Sequence, residues 1–176
     1  MNNLIVQKYG GSSLATIEQI DFVTKKIKKR LNDVNKIVIV VSAMGDTTDE
    51  LVALSENFLK DNKDVENLRD FDQLLSTGEI ISASLMSMSL RNNNVKAVSL
   101  TGQKAGIYTD ELHGSARIAS IDEKMILNEL INKDVVIVAG FQGVSGYGEV
   151  TTLGRGGSDT TAVAIASALN LTLIHI

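Results

Sequence analysis

At 176 residues and a formal net charge of −4, the chain is long enough for one domain with a substantial core and too acidic to suggest nucleic acid as its main partner. With no cysteine, disulfides, thiol nucleophiles and cysteine metal sites are excluded, and His113 and His175, the only histidines, do not make a histidine-rich metal centre, so no metal ligands are expected. No apolar run approaches the roughly 20 residues of a membrane span, and Met1 to Ile5 lack a charged segment followed by an apolar one. The expectation is a cytoplasmic protein without a membrane partner.

In chain order, Leu4-Ile5-Val6-Gln7-Lys8 reads as a short strand. Tyr9-Gly10-Gly11-Ser12-Ser13 then turns the chain into a helix whose apolar positions include Ile17, Ile20, Ile27 and Leu31. Lys25 to Arg30 is a basic run on that helix; without interleaved aromatics it reads as a solvated face. Lys36 to Val41 is apolar nearly throughout, as in a strand buried on both faces of a parallel sheet. Ser42-Ala43-Met44-Gly45-Asp46-Thr47-Thr48 leads into a helix from about Thr48 to Leu59, and its hydroxyls suit either a ligand or a helix cap.

Lys60 to Asp70 is charged and non-periodic and reads as a surface connection. Phe71 to Leu90 predicts a long helix with Leu74, Leu75, Ile81, Leu85 and Met88 on its apolar side. Gly78-Glu79 interrupts it; a helical glycine marks close packing or a nearby ligand, and an exposed glutamate is the commoner reading of Glu79. Val95 to Leu100 is a third strand, followed by a polar loop through Thr101–Asp110 and Glu111-Leu112-His113-Gly114. A helix from Asp122 to Ile131, a buried strand Val135 to Ala139, the turn Gly140-Phe141-Gln142-Gly143 and a last strand from Leu171 to Ile176 complete the pattern. Proline is absent, so turns fall to Gly, Asn, Asp and Ser.

Before that last strand, Thr151 to Thr161 forms a glycine-rich loop feeding a small-residue helix. Unpaired N–H groups and the dipole at such a helix start, glycines that admit close approach and the planar fork of Arg155 together suit an anionic small molecule. Ser158 or Asp159 as a plain helix cap is the simpler alternative. The alternation of apolar strands with helices predicts an α/β fold with a mainly parallel sheet covered on both faces. Ligands of such sheets sit beyond the carboxyl ends of the strands. Lys8 to Gly11, Ser42 to Thr48, Phe141 to Gly143 and Arg155 to Asp159 all fall there.

No G-x-x-x-x-G-K-[ST] is present, no G-x-G-x-x-G follows the first strand, and Gly143-Val144-Ser145-Gly146 lacks the last glycine of G-x-S-x-G. Two glycine-rich anion loops with Lys8, Arg155 and Asp159 suit phosphoryl transfer, which needs aligned substrates and positive charge over the migrating group.

Lys8-Tyr9-Gly10-Gly11-Ser12-Ser13, Val41-Ser42-Ala43-Met44-Gly45, Thr48-Asp49-Glu50-Leu51, Gly78-Glu79, Gly140-Phe141-Gln142-Gly143 and Thr152-Leu153-Gly154-Arg155-Gly156-Gly157-Ser158-Asp159 resemble aspartate kinase, of the amino acid kinase superfamily. The resemblance implies a three-layer α/β fold and transfer of the ATP γ-phosphoryl to the side-chain carboxylate of L-aspartate, with Mg²⁺ carried mainly on the nucleotide. This step opens lysine, threonine and methionine biosynthesis. It further implies Lys8 and Asp159 as catalytic residues, and Lys8, Gly10, Gly11 and Ser12 as the phosphate site. Ser42, Thr48, Glu79, Phe141, Arg155, Gly156, Gly157 and Ser158 fall at the substrate, with Glu79 toward its amino group and Arg155 on its carboxylate. Arg117-Ile118 is a weaker carry-over near the long loop.

Where the family continues with segments for adenine and ribose and with regulatory domains, this chain has Leu171 to Ile176. Residues 1–176 therefore read as the N-terminal part of such a catalytic domain, weakly active or inactive alone. A non-catalytic aspartate-binding or assembly fragment, acting as a homo-oligomer or with a complementing C-terminal half, is the alternative, and another carboxylate or carbamate kinase is a third reading.

Overall fold

The computed structural model describes residues 4–59, 64–171 and 173–175. Five strands form one wholly parallel sheet: β1 (Leu4–Tyr9), β2 (Lys36–Val41), β3 (Ala97–Leu100), β6 (Val135–Ala139) and β9 (Leu173–His175). Their order is β3-β6-β2-β1-β9. The helices are α1 (Ile17–Arg30), α2 (Thr47–Leu59), α3 (Val65–Asn92), α4 (Glu123–Asn132) and α5 (Gly157–Ala168).

Alternation along the central strands divides the core in two. Ile37, Ile39 and Val41 of β2 and Val135, Ile137 and Ala139 of β6 face one side, against Ile20, Val23 and Ile27 of α1 and Ala83, Met86 and Leu90 of α3. Val38, Val40, Val136 and Val138 face the other side, against Ile126 and Leu130 of α4 and Ala162 and Ile165 of α5. The α/β architecture with helices on both faces is thus the one expected from continuous apolar strands.

Four differences from the sequence expectation have physical reasons. The two stretches read as loops carry a second sheet of very short strands, β4 (Ile107–Thr109), β5 (Ile118–Ile121), β7 (Gln142–Val144) and β8 (Val150–Thr152), in the order β5-β4-β7-β8. Three or four residues rich in Gly and Thr are too few to show a two-residue alternation.

Next, the surface connection expected over Lys60 to Asp70 is helical from Val65, where the Asp64 carboxylate caps the Asn67 N–H at 2.8 Å; residues 60–63 lie outside the described part, as do 1–3, 172 and 176, the last two within the strand expected over Leu171 to Ile176. Ile17, Ile81 and Met88, expected on apolar faces, are exposed. Finally, Leu75 is buried as expected, but the rest of the buried stripe of α3 is made of Asp72, Ser76, Gly78, Glu79, Ser82, Ala83, Met86, Ser87 and Leu90.

That small-residue stripe lets α3 lie close to the loop after β2. A Cβ on Gly78 would come within 2.8 Å of Ala43 Cβ. Gly11 is similarly confined, since a Cβ there would meet Ala43 O at 2.7 Å. Gly78→Val is therefore expected to lower unfolding stability by about 2 kcal/mol, an overpacking cost that outweighs any gain in helix propensity. Urea denaturation checks this, and unchanged stability would mean that the α3–Ala43 contact yields freely.

Candidate functional site

Beyond the carboxyl ends of β1 and β2 lies a cleft of about 560 Å³, within the size range of small-molecule sites. Lys8 reaches it from the end of β1, and its Nζ pairs with Asp159 Oδ1 of the first turn of α5 at 2.9 Å. The lysine side chain is 10% exposed and the aspartate 52%, so the pair is open on its aspartate side. After β1 the chain turns through Gly10 into a 3₁₀ turn, Gly11–Leu14. Hydrogen bonds from the Ser42 N–H to Tyr9 O and from the Gly45 N–H to Gly11 O, both 3.1 Å, stitch this turn to the loop after β2.

Arg155 stands between Gly154 at φ 74° and Gly156 at φ 75°, in a left-handed turn that glycine enters at little cost. Gly156 is the N-cap of α5, and Gly157 and Ser158 form its first turn on the wall of the cleft. The positive end of the α5 dipole therefore lies there with Lys8 and Arg155. Phe141 is non-glycine at φ 68°, an uncommon conformation. Its N–H donates to Thr161 Oγ1 at 3.1 Å, and its carbonyl accepts from the Leu153 N–H at 2.8 Å. A Cβ on Gly157 would collide with its ring at 2.7 Å. The aromatic ring is thus packed directly on the start of α5.

Glu79 is not the exposed glutamate that its residue type favours: it is 3% exposed. Its Oε1 accepts the Ala43 N–H at 3.1 Å, while Oε2 is buried with no hydrogen-bond partner among the described residues. Burial pushes its carboxyl up to about 7, against the lowering effect of the Ala43 hydrogen bond. A buried carboxylate oxygen without a donor, on the wall of a cleft, is suited to an incoming cation.

Of the residues singled out from the sequence, Lys8, Gly11, Ser42, Thr48, Glu79, Phe141, Arg155, Gly156, Gly157, Ser158 and Asp159 line this cleft together. Gly10 and Ser12 do not line it; Ser12 is exposed on the 3₁₀ turn, and Gly10 lies beside Lys8, where a Cβ would stand 3.5 Å from Nζ. Arg117 is not on its wall either.

Phe71, Leu75, Gly114 and Thr152 also line the cleft, with Asp72 behind them; the sequence places Leu75 on an apolar helix face and Thr152 in the glycine-rich loop, and marks none of the five as a site residue. Asp72 is wholly buried and accepts hydrogen bonds from His113 Nδ1 (2.8 Å), the Gly114 N–H and the Thr152 hydroxyl. One signal was available: Asp72 and Glu79 lie two turns apart, so any helix burying one presents the other on the same face.

The arrangement offers cationic groups and a helix N-terminus at one wall and an unfilled carboxylate oxygen at another. It fits a small zwitterion or an anion with an ammonium group.

The Amino acid kinase family model matches residues 3–176. The aspartokinase of Geobacillus stearothermophilus is 54% identical over 166 residues, 94% of this chain and 40% of that protein. Aspartokinase 2 of Bacillus subtilis is 48% identical over the same shares. The aspartate kinase of Synechocystis superposes with a TM-score of 0.81 at 40% identity, covering 98% of this chain and 27% of that one. E. coli aspartokinase III, solved in complex with aspartate and ADP, also gives 0.81, at 26% identity and with 98% and 49% covered. The chain thus spans about 40% of the length of these curated relatives. Its fold, its motifs and the match across nearly all of its residues make it a member of the amino acid kinase family.

Proposed function

We propose that this chain forms the aspartate side of an aspartate kinase, as the N-terminal part of its catalytic domain. The observation that carries the reading is the convergence in one cleft of the Lys8–Asp159 pair, Arg155 beside the α5 N-terminus, and Glu79, whose Oε2 has no hydrogen-bond partner among the described residues. L-Aspartate has two carboxylates and one ammonium, which match these groups in sign. Arg155 would grip one carboxylate through its planar fork. Glu79 would receive the ammonium, Ser42, Thr48 and Ser158 would add hydrogen bonds, and Phe141 would close the wall.

In the reaction, an oxygen of the side-chain carboxylate forms the new bond to the γ-phosphorus as the bond to the ADP oxygen breaks, giving 4-phospho-L-aspartate and ADP. Lys8, with Gly10, Gly11 and Ser12 in the adjoining turn, would neutralise the charge on the migrating phosphoryl, and Asp159 would hold the lysine in place. Mg²⁺ supplies further neutralisation when it arrives on the nucleotide. The carboxylates that line the cleft are Asp49, Glu79 and Asp159, of which Asp159 pairs with Lys8. Residues holding adenine and ribose would belong to the part of the relatives that this chain does not span, supplied as a complementing half or as continuing chain. The location would be the cytoplasm; among the described residues no helix is long and apolar enough to cross a membrane.

Calorimetric titration of aspartate into the chain tests the reading. Arg155→Ala is expected to weaken binding at least about tenfold, the worth of a charged hydrogen-bonded pair, while Lys25→Ala, on the solvated face of α1, leaves it unchanged. Equal affinity in the two variants would overturn the assignment of Arg155.

The Glu79 carboxyl has its own pH signature. Its folded value of about 7 lies above the ordinary 4.5, so the folded state holds a proton that the unfolded state releases. The resulting stabilisation is full below pH 4.5 and is lost as pH rises to about 7, by up to about 3 kcal/mol, a fall expected to be missing in Glu79→Gln. Aspartate affinity should run the opposite way and strengthen through this window, because the ammonium favours the ionised carboxylate. Denaturation and titration at pH 5 and pH 8 check both, and a flat affinity profile would remove Glu79 from the ammonium site.

A further inference from the structure

The Asp72 carboxylate touches no part of the cleft wall assigned above to chemistry, yet everything it binds leads there. A carboxylate withdrawn from water is costly unless its oxygens are filled. Here they are filled from two other segments. The loop between β4 and β5 supplies His113 Nδ1 at 2.8 Å to Oδ2 and the Gly114 N–H at 3.0 and 3.1 Å to the two oxygens. The last residue of β8 supplies the Thr152 hydroxyl.

Gly114 and Thr152 both line the cleft, and Thr152 stands three residues before Arg155. The same strand end is held on its other sides by the Ala116 N–H on Thr152 O and the Leu153 N–H on Phe141 O, each 2.8 Å. The loop also abuts the arginine turn, since a Cβ on Gly154 would stand 3.5 Å from Gly114 O.

We propose that Asp72 is a positioning residue: its buried carboxylate latches the Gly114 loop to the end of β8 and so aims the Arg155 turn into the cleft. The latch follows from geometry, and its consequence for aspartate rests on the reading of Arg155 given above. Asp72 does not touch the substrate. Its side-chain partners all come from cleft-lining segments or their immediate neighbours, and none from the parallel sheet, so its loss should loosen the site and spare the core.

Amide hydrogen exchange on the full chain tests this with Asp72→Asn and with Thr152→Val, a near-isosteric change that removes a single donor. Exchange over 112–116 and 153–157 is expected to accelerate about tenfold in Asp72→Asn and less in Thr152→Val, with β2 and β6 unaltered. Aspartate affinity should fall about five- to tenfold in Asp72→Asn. Unaltered exchange in the two loops would overturn the proposal. So would loss of protection throughout β2 and β6 in both variants, which would make Asp72 a support of the whole fold. If Arg155→Ala binds aspartate like the unaltered chain, the substrate assignment falls, and the exchange pattern still decides the latch.

Discussion

Two strands with no polar face govern this structure. Ile37 to Val41 of β2 and Val135 to Ala139 of β6 are wholly buried, and an apolar strand can hide both sides only beneath two layers of helix. Covering both faces requires crossover connections, which keep the strands parallel and bring their carboxyl ends to one edge. The turns after β1 and β2 and the start of α5 therefore meet in space although they lie far apart in the chain. The cleft is a geometric product of that arrangement, and its chemistry is decided by what each turn carries.

The turns carry opposing charges in a deliberate arrangement. Lys8 is nearly buried but neutralised by Asp159, so the cleft holds a cation without the cost of an isolated one. Glu79 accepts a hydrogen bond from the Ala43 N–H, burial raises its proton affinity, and among the described residues its second oxygen has no partner. Asp72, on the same stripe of α3, has its oxygens filled from neighbouring segments. Two buried carboxylates on one helix face thus differ in kind: one is complete and organises neighbouring loops, the other is incomplete and faces the cleft.

Much of this was legible in the sequence, for reasons that differ by element. β2 and β6 were readable to the residue because continuous Val and Ile admit few other structures. The motifs around Lys8, Glu79 and Arg155 were visible as residue types at strand ends, and the structure gathers them in one cleft without by itself assigning their roles. The second sheet was hidden because its strands are shorter than the period needed to see them. α3 was misread in detail because its buried face is small and polar, so that Ile81 and Met88 suggested the wrong side. Asp72 was missed because a charged residue near a helix start is ordinarily solvated, and its three partners come from distant segments.

The position of β1 inside the sheet has a consequence for the order of assembly. It pairs on one edge with β2 and on the other with β9, and the partner of Lys8 comes from α5. A nascent chain can join β1 to β2 as soon as both emerge, but the second edge and the counter-ion of Lys8 arrive only with the far end of the sequence. Until then an unpaired strand edge and an uncompensated lysine stand open together. A charge at that edge works against pairing with a foreign strand during the interval.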